Sequence, residues 1–100
     1  MPQPQTSKPE YAPHLLASLR DLGGEASRDE VLGRTYTRME VRLHPADHAL
    51  LYRGTVPRWR NEAEHMLDGL VEEGYVEEDG AALRLTQRGR DYVERLAEAL

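Results

Sequence analysis

Residues 57–66, PRWRNEAEHM, gather side chains whose types suit contact with a nucleic acid. The segment holds Arg58, Arg60 and the only Trp and Asn of the chain, Trp59 and Asn61. Arginine can donate two hydrogen bonds to the acceptors of guanine, and asparagine pairs in a similar way with adenine. The N–H groups in the first turn of a helix also favour a phosphate. A helix that starts here would therefore present a turn suited to DNA.

The apolar spacing predicts such a helix. An apolar stripe at positions i, i+4, i+7, i+8, i+11 and i+12 forms one face of a 3.6-residue helix. The stripe consists of Trp59, Ala63, Met66, Leu67, Leu70 and Val71. With Trp59 as the core anchor, we expect Arg58, Asn61 and His65 on the outer face, with Arg60 to one side. Alternatively, the arginines only offset the glutamates of their own helix.

Arginines also recur before this helix, at positions 34, 38, 42 and 53. The spacing of four aligns Arg34, Arg38 and Arg42 on one helical face if the second helix extends that far. Such a row would position a phosphate backbone, and Arg53 would extend the basic surface. A solvated charged face is the alternative interpretation.

The positive charge is local. The net charge is −2 for residues 1–33 (three basic, five acidic), +4 for residues 34–60 (six basic, two acidic) and −7 for residues 61–100 (four basic, eleven acidic). The total of −5 argues against an unspecific DNA coat, since nucleic-acid binders usually carry a basic excess. We expect binding at one basic edge only.

Other chemistry has little support in the sequence. His44 and His48 have the spacing of metal ligands on a helix, with Asp47 as a third candidate, but there is no Cys and no His-Glu-x-x-His pattern. There is no Gly-rich phosphate loop, and Ser27 is explained as a helix cap. We therefore predict no metal site, no cofactor and no enzymatic activity.

The first third of the chain predicts a tail and two helices. Residues 1–9 are polar and proline-rich, which predicts a disordered segment before a single domain at residues 10–100. A first helix should begin near Tyr11, with Pro13 in its first turn, and end at Gly23-Gly24. Ser27 and Glu30 form a capping box for the second helix, and the short segment between the two helices favours an extended pairing.

The rest of the chain predicts an insert, a hairpin and a last helix. In the insert, at about residues 36–56, Pro45 favours a short helix that buries residues 49–51 and ends at Gly54. Asp79-Gly80 suggests a two-residue hairpin turn that pairs Val76 with Leu83 and Tyr75 with Arg84. Thr86 caps the last helix. The apolar stripe of that helix either belongs to the core or pairs two copies of the chain, and it contains Tyr92, Val93, Leu96 and Leu100.

The order helix, helix, insert, helix, hairpin, helix is that of a winged helix-turn-helix, mainly α with a small β-hairpin wing. From about Leu15 onward the chain resembles the N-terminal domain of Mrr-type restriction endonucleases. The matching segments are LLASLRDLGGEASRDEVL, PRWRNEAEHMLDGLVEEGYVE and LRLTQRGRDYV, the last with a Thr-x-x-Gly-Arg junction. The resemblance implies a winged-helix fold and DNA binding. Enzymes of that kind carry a nuclease domain after this module, and the only lysine here is Lys8.

We therefore expect a cytoplasmic homodimer that binds double-stranded DNA, as a transcriptional regulator or as a non-catalytic accessory subunit. No apolar run reaches the ~20 residues of a membrane span. The acidic wing tip (Glu77, Glu78 and Asp79) should repel a phosphate backbone. The alternative is a protein-interaction module, in its extreme form a DNA mimic, that uses the acidic wing and the last helix against a basic partner.

Overall fold

A computed structural model describes residues 4–51 and 54–99, and the side chains up to Leu96. This part of the chain is mainly helical with a small antiparallel sheet. The α-helices are α1 (Lys8–Asp21), α2 (Arg28–Met39), α3 (Arg58–Glu72) and α4 (Gln87–Ala99). The strands are β1 (Glu25–Ser27), β2 (Leu50–Leu51), β3 (Val56–Pro57), β4 (Val76–Asp79) and β5 (Ala82–Leu85).

α1 begins earlier than the sequence predicts. It starts at Lys8, where a capping box joins Ser7 to Glu10, so residues 8 and 9 belong to the helix and not to the tail. Pro13 consequently lies beyond the first turn. Leu22 and the two glycines after it end the helix, and Gly23 and Gly24 have φ of +92° and +89°, a region that glycine enters without steric cost.

The start of α2 is as predicted. The Ser27 side chain accepts from the Glu30 N–H at 3.1 Å, and Glu30 accepts in return from the Ser27 N–H. The residues just before it form β1, which pairs with β5 and so confirms an extended pairing between the first two helices. α2 ends at Met39, and Arg42 lies in a first 3-10 helix, Glu40–Arg42. The helical row of three arginines predicted from the sequence is therefore broken after Arg38.

The α2–α3 connection (residues 40–57) has the short helix expected at Pro45, but this helix ends before the residues that we expected it to bury. A second 3-10 helix, Pro45–His48, is followed by β2 and β3, which pair antiparallel with Leu50 opposite Pro57. Ala49 is exposed and Leu50 is 60% exposed, so their predicted burial is wrong, whereas Leu51 is half-buried. Ala49 is extended and its carbonyl accepts from the Arg58 N–H at 2.8 Å, which continues a hairpin and leaves no helix there.

The hairpin of β4 and β5 forms as predicted, but its register is shifted. Gly80 and Ala81 form the turn, Asp79 pairs with Ala82, and Val76 pairs with Leu85 instead of Leu83. Gly80 adopts φ +62° at the first turn position. β1 joins the free side of β5, which gives a three-stranded sheet in the order β1-β5-β4.

The start of α4 depends on two residues of the Thr-x-x-Gly-Arg junction. The Thr86 hydroxyl donates to the Gly74 carbonyl at 2.6 Å and accepts from the Gly89 N–H at 3.1 Å, which confirms Thr86 as the cap. Gly89 is buried, and a Cβ placed there would collide with the Tyr75 carbonyl and with Leu85. The junction thus has a structural explanation that is independent of function.

One core joins the helices to the inner face of the sheet. It is formed by Tyr11, Leu15, Leu16, Leu19, Val31, Leu32, Met39, Ala63, Leu67, Leu70, Val76, Leu83, Leu85 and Val93. Trp59, Met66, Val71 and Tyr92 pack against it from partly exposed positions. Within the described residues, none of the helices combines the length and the apolarity needed to cross a membrane.

Candidate nucleic-acid interface

The first turn of α3, Arg58–Asn61, is here called the docking turn. Pro57 is the N-cap, so no side-chain cap hydrogen bond closes the helix, and its first turn contains no acidic residue. The helix macrodipole places a partial positive charge at this end, and it adds to the arginine charges. The Arg58 N–H already donates to the Ala49 carbonyl, so the N–H groups that follow it in the first turn, together with the two arginines, are the groups suited to an anion.

Trp59 anchors the docking turn through a side-chain stack. Its ring lies 4.8 Å from the ring of Tyr36 in α2, with 32° between the planes, and it packs against the core. The Tyr36 ring meets His48 edge-on at 6.2 Å. The docking turn is thus fixed both to α2 and to the second 3-10 helix.

Arg60 lies on the side of α3 that faces α2. Its Nη2 donates to Asp29 Oδ1 at 2.7 Å, and its Nε lies 3.9 Å from Glu64. Farther along α3, Asp68 pairs with Arg28 of α2 at 2.9 Å, and Arg28 also binds Glu78 of the hairpin at 2.9 Å. Asp68 carries a charge that would repel a phosphate backbone, and its pairing with Arg28 partly neutralises that charge.

The other predicted residues of α3 differ in their exposure. Arg58 is half-buried and forms no ion pair with the described part of the chain. Asn61 is half-buried, and His65 is exposed one turn later on the same face. Arg53 lies outside the described residues. Among the described contacts, Arg58 is thus the cation of the docking turn that is not bonded to a carboxylate.

The arginine row lies on the other flank of α2. Arg38 Nη1 donates to Asp21 of α1 at 2.8 Å, and Arg34 lies 4.0 Å from the same carboxylate. Because successive residues turn by about 100°, Arg34 and Arg38 each lie about 200° from Tyr36, which faces α3. The sequence predicted one continuous basic surface, whereas the structure divides it into an α1–α2 group and an α3 group.

Arg42 extends the α1–α2 group toward the start of the chain. Its Nη1 lies 3.3 Å from His14 Nε2, and arginine can only donate, so this nitrogen accepts and the proton of a neutral ring sits on Nδ1. Burial lowers the pKa of His14, and the positive charges of Arg42 and Arg38 lower it further. This contact therefore requires the neutral imidazole.

The candidate metal ligands His44, Asp47 and His48 do not converge on one point. Asp47 is fully buried, and its carboxylate accepts from the N–H groups of Thr6 and His44 and from the Thr6 hydroxyl. No group of three potential ligands converges anywhere in the described residues. Sequence reasoning missed the contact of Thr6 with Asp47, because the two residues are 41 positions apart and no local pattern links them.

The stripe of α4 is directed mainly at its own core. Val93 is 2% exposed and belongs to the core, so it has little surface to offer a second copy. Tyr92 meets the ring of Tyr75 edge-on at 5.6 Å, and Leu96 is half-buried. Leu100 lies outside the described residues. Pairing of two copies through α4 stays a prediction, with Leu96 and Tyr92 as its described residues.

The chain matches no protein-family model, no curated protein and no solved structure at a significant level. The resemblance to the N-terminal domain of Mrr-type restriction endonucleases therefore stays a prediction. The structure shows the geometry of two of these segments. The docking turn has no side-chain cap, and Thr86 caps the start of α4 by accepting from the Gly89 N–H.

Proposed function

We propose that this protein is a non-catalytic, double-stranded DNA-binding domain of the winged helix-turn-helix class. The observation that carries the proposal is the docking turn, where Arg58 lies at a helix start that has no side-chain cap and no acidic residue in its first turn. The element order and the β1-β5-β4 sheet support the fold class. The role would be that of a transcriptional regulator or an accessory subunit in the cytoplasm.

In this proposal the contacts of α3 are graded along the helix. Arg58 and Asn61 lie in the first turn, which is the part of a recognition helix that reaches base edges. His65 would add a contact from the next turn. Arg60 would leave Asp29 and bind a DNA phosphate instead. The acidic residues beyond Glu64 limit insertion to about two turns. Three arginines lie on the other flank of α2: Arg34, Arg38 and Arg42. They would contact the phosphate backbone of bent DNA or of a neighbouring DNA segment.

Two copies would bind one duplex in this proposal. A dimer formed along the exposed side of α4 would use Leu96 and Tyr92 and place two docking turns on successive major grooves. Sedimentation analysis of the wild type and of Leu96→Glu tests this part separately from DNA binding. A monomeric wild type would remove the dimer and leave a single docking turn.

The experiment that tests the proposal is a titration of labelled DNA at two salt concentrations. The probes are random duplexes and sheared DNA from the source genome. We expect submicromolar binding at low salt that weakens steeply at higher salt and is lost in Arg58→Ala/Arg60→Ala. A folded wild type without binding at low salt would refute the proposal.

A second candidate function is supported by the outer face of the sheet. There Arg84 is surrounded by carboxylates, with Glu25 at 3.2 Å, Glu77 at 3.6 Å and Asp79 at 3.8 Å. Three acidic groups around one cation leave a net negative surface, which would attract a basic protein partner. Binding of such a partner that survives Arg58→Ala/Arg60→Ala, together with no binding of DNA, would favour this function.

A further inference from the structure

A buried hydrogen-bonded junction joins the start of the chain to the α2–α3 connection. Asp47 is 0% exposed, and its Oδ1 accepts from the Thr6 N–H at 2.9 Å. Its Oδ2 accepts from the Thr6 hydroxyl at 2.7 Å and from the His44 N–H at 2.8 Å. Residues 4–7 are here called the strap. A carboxylate held away from water is stable only with such donors, so the strap and Asp47 depend on each other.

The junction adds to the sparse apolar packing of the connection, in which Leu43 meets the core from a half-buried position. Among residues 40–51 and 54–57, Asp47 is the only one that is buried. The first 3-10 helix contains no buried residue, and β2 and β3 are only two residues long. Short pieces of this kind are marginal by themselves, so their position depends on what they are bonded to.

The connection in turn touches the docking turn. The second 3-10 helix, which contains Asp47, packs against α3. The next residue, Ala49, accepts from the Arg58 N–H at 2.8 Å, and His48 contacts the Tyr36 ring that stacks on Trp59. A displacement of the second 3-10 helix would therefore be transmitted to Arg58 through Ala49.

We infer that Thr6 and Asp47 are positioning residues for the docking turn. Their junction holds the second 3-10 helix against α3, and through Ala49 it fixes the backbone from which Arg58 projects. Neither residue contacts DNA itself. The inference rests on the proposed function for its effect on binding, whereas its structural part is independent of that function.

Amide hydrogen exchange tests the structural part without DNA. The variants are Thr6→Val, which removes one donor, and Asp47→Asn, which removes the charge at nearly constant size. Thr6→Ser is the matched control, because it changes the same residue but keeps the hydroxyl that donates to Asp47. We expect exchange of the Arg58 amide to accelerate about tenfold in Asp47→Asn and severalfold in Thr6→Val, with the Arg90 amide of α4 unchanged.

Duplex titration tests the functional part. Loss of a preorganised docking turn should weaken DNA binding by about three- to tenfold in both variants, and Thr6→Ser should bind like the wild type. An unchanged Arg58 amide in Thr6→Val would overturn the inference, and so would faster exchange without loss of affinity. If the wild type binds no DNA, the proposed function fails, and the exchange rates alone then decide whether the junction positions α3. Thr6→Val keeps the test valid if Asp47→Asn does not fold.

Discussion

Arg60 of α3 is bonded to Asp29 of α2, with Nη2 2.7 Å from the carboxylate oxygen. The Asp29 side chain is 84% exposed, so the pair lies in water and contributes only about 0.2–1 kcal/mol to stability. A phosphate can take the place of this carboxylate at low cost. In the proposed function, Asp29 would therefore compete with a DNA phosphate for Arg60 at the edge of the docking turn.

Asp29→Asn should therefore tighten DNA binding. The amide releases Arg60 and removes a negative charge near the DNA backbone. We expect about a threefold gain in DNA affinity at low salt. Asp91→Asn of α4 is the control, since it changes the net charge equally at a site remote from α3 in the sequence. Equal gains in the two variants, measured by titration of one duplex, would show that Arg60 has no part in the contact.

Gly89→Ala should destabilise the fold strongly. The first turn of α4 approaches the Tyr75 carbonyl so closely that a methyl group has no room, and the neighbour is backbone that cannot rotate away. We expect a loss of about 2–4 kcal/mol in the free energy of unfolding by urea. Gly33→Ala in α2 is the control, because nothing lies within 4 Å of its added Cβ and it should gain up to about 1 kcal/mol. Equal stability of the two variants would contradict the close approach.

The pKa of Asp47 gives a stability dependence in acid. Burial acts to raise this pKa, but the hydrogen bonds from His44 and Thr6 outweigh it, so the pKa lies below its usual value of 3.8. A lowered pKa in the folded state stabilises the protein above the unfolded pKa, and this contribution is lost as the pH falls through the folded pKa.

Asp47→Asn should therefore lower the unfolding free energy by about 1–3 kcal/mol at pH 7, because the amide cannot accept all three hydrogen bonds. The difference from the wild type should begin to shrink below about pH 4, where the unfolded chain takes up the proton first, and it should be lost as the pH falls through the lower folded pKa. Urea unfolding at pH 7, 5 and 3 measures it. A difference that stays constant over this range would contradict the role given to the charge.

His14 gives a dependence at milder pH. Its pKa is lowered in the folded protein, so the unfolded chain takes up a proton first as the pH falls through about 6.5. Stability should therefore decrease from pH 7.5 to 5.5, and Arg42 should lose its acceptor. In His14→Gln, which keeps an acceptor but does not titrate, this decrease should be smaller. Exposed His65→Gln is the control and should follow the wild type in urea unfolding.

Several elements could be predicted because their signals are local. The capping box of Ser27 and Glu30, the stripe that begins at Trp59 and the cap at Thr86 depend on residues within a few positions of each other. The hairpin register failed for a physical reason. Pairing Val76 with Leu83 or with Leu85 puts the same side chains on the inner face, since a shift of two residues preserves the face.

The candidate site was predictable in its residue types but not in its partners. The spacing of Arg34 and Arg38 correctly puts them on one face, but it cannot tell that this face meets Asp21 of α1 instead of α3. Asp47 was a possible metal ligand by spacing, and its actual donor, Thr6, is distant in the sequence. Long-range pairings of polar groups leave no periodic signal.

The most direct test of DNA binding through the docking turn is the salt dependence of the affinity for one duplex. Wild type and Arg58→Ala are compared, with exposed Arg95→Ala of α4 as a control of equal charge. We expect Arg58→Ala to bind about tenfold more weakly at low salt and to reduce the slope of log K against log salt by about 1, while Arg95→Ala keeps the wild-type slope. Equal slopes for the two variants, or a folded wild type that binds no DNA, would contradict a docking turn at Arg58.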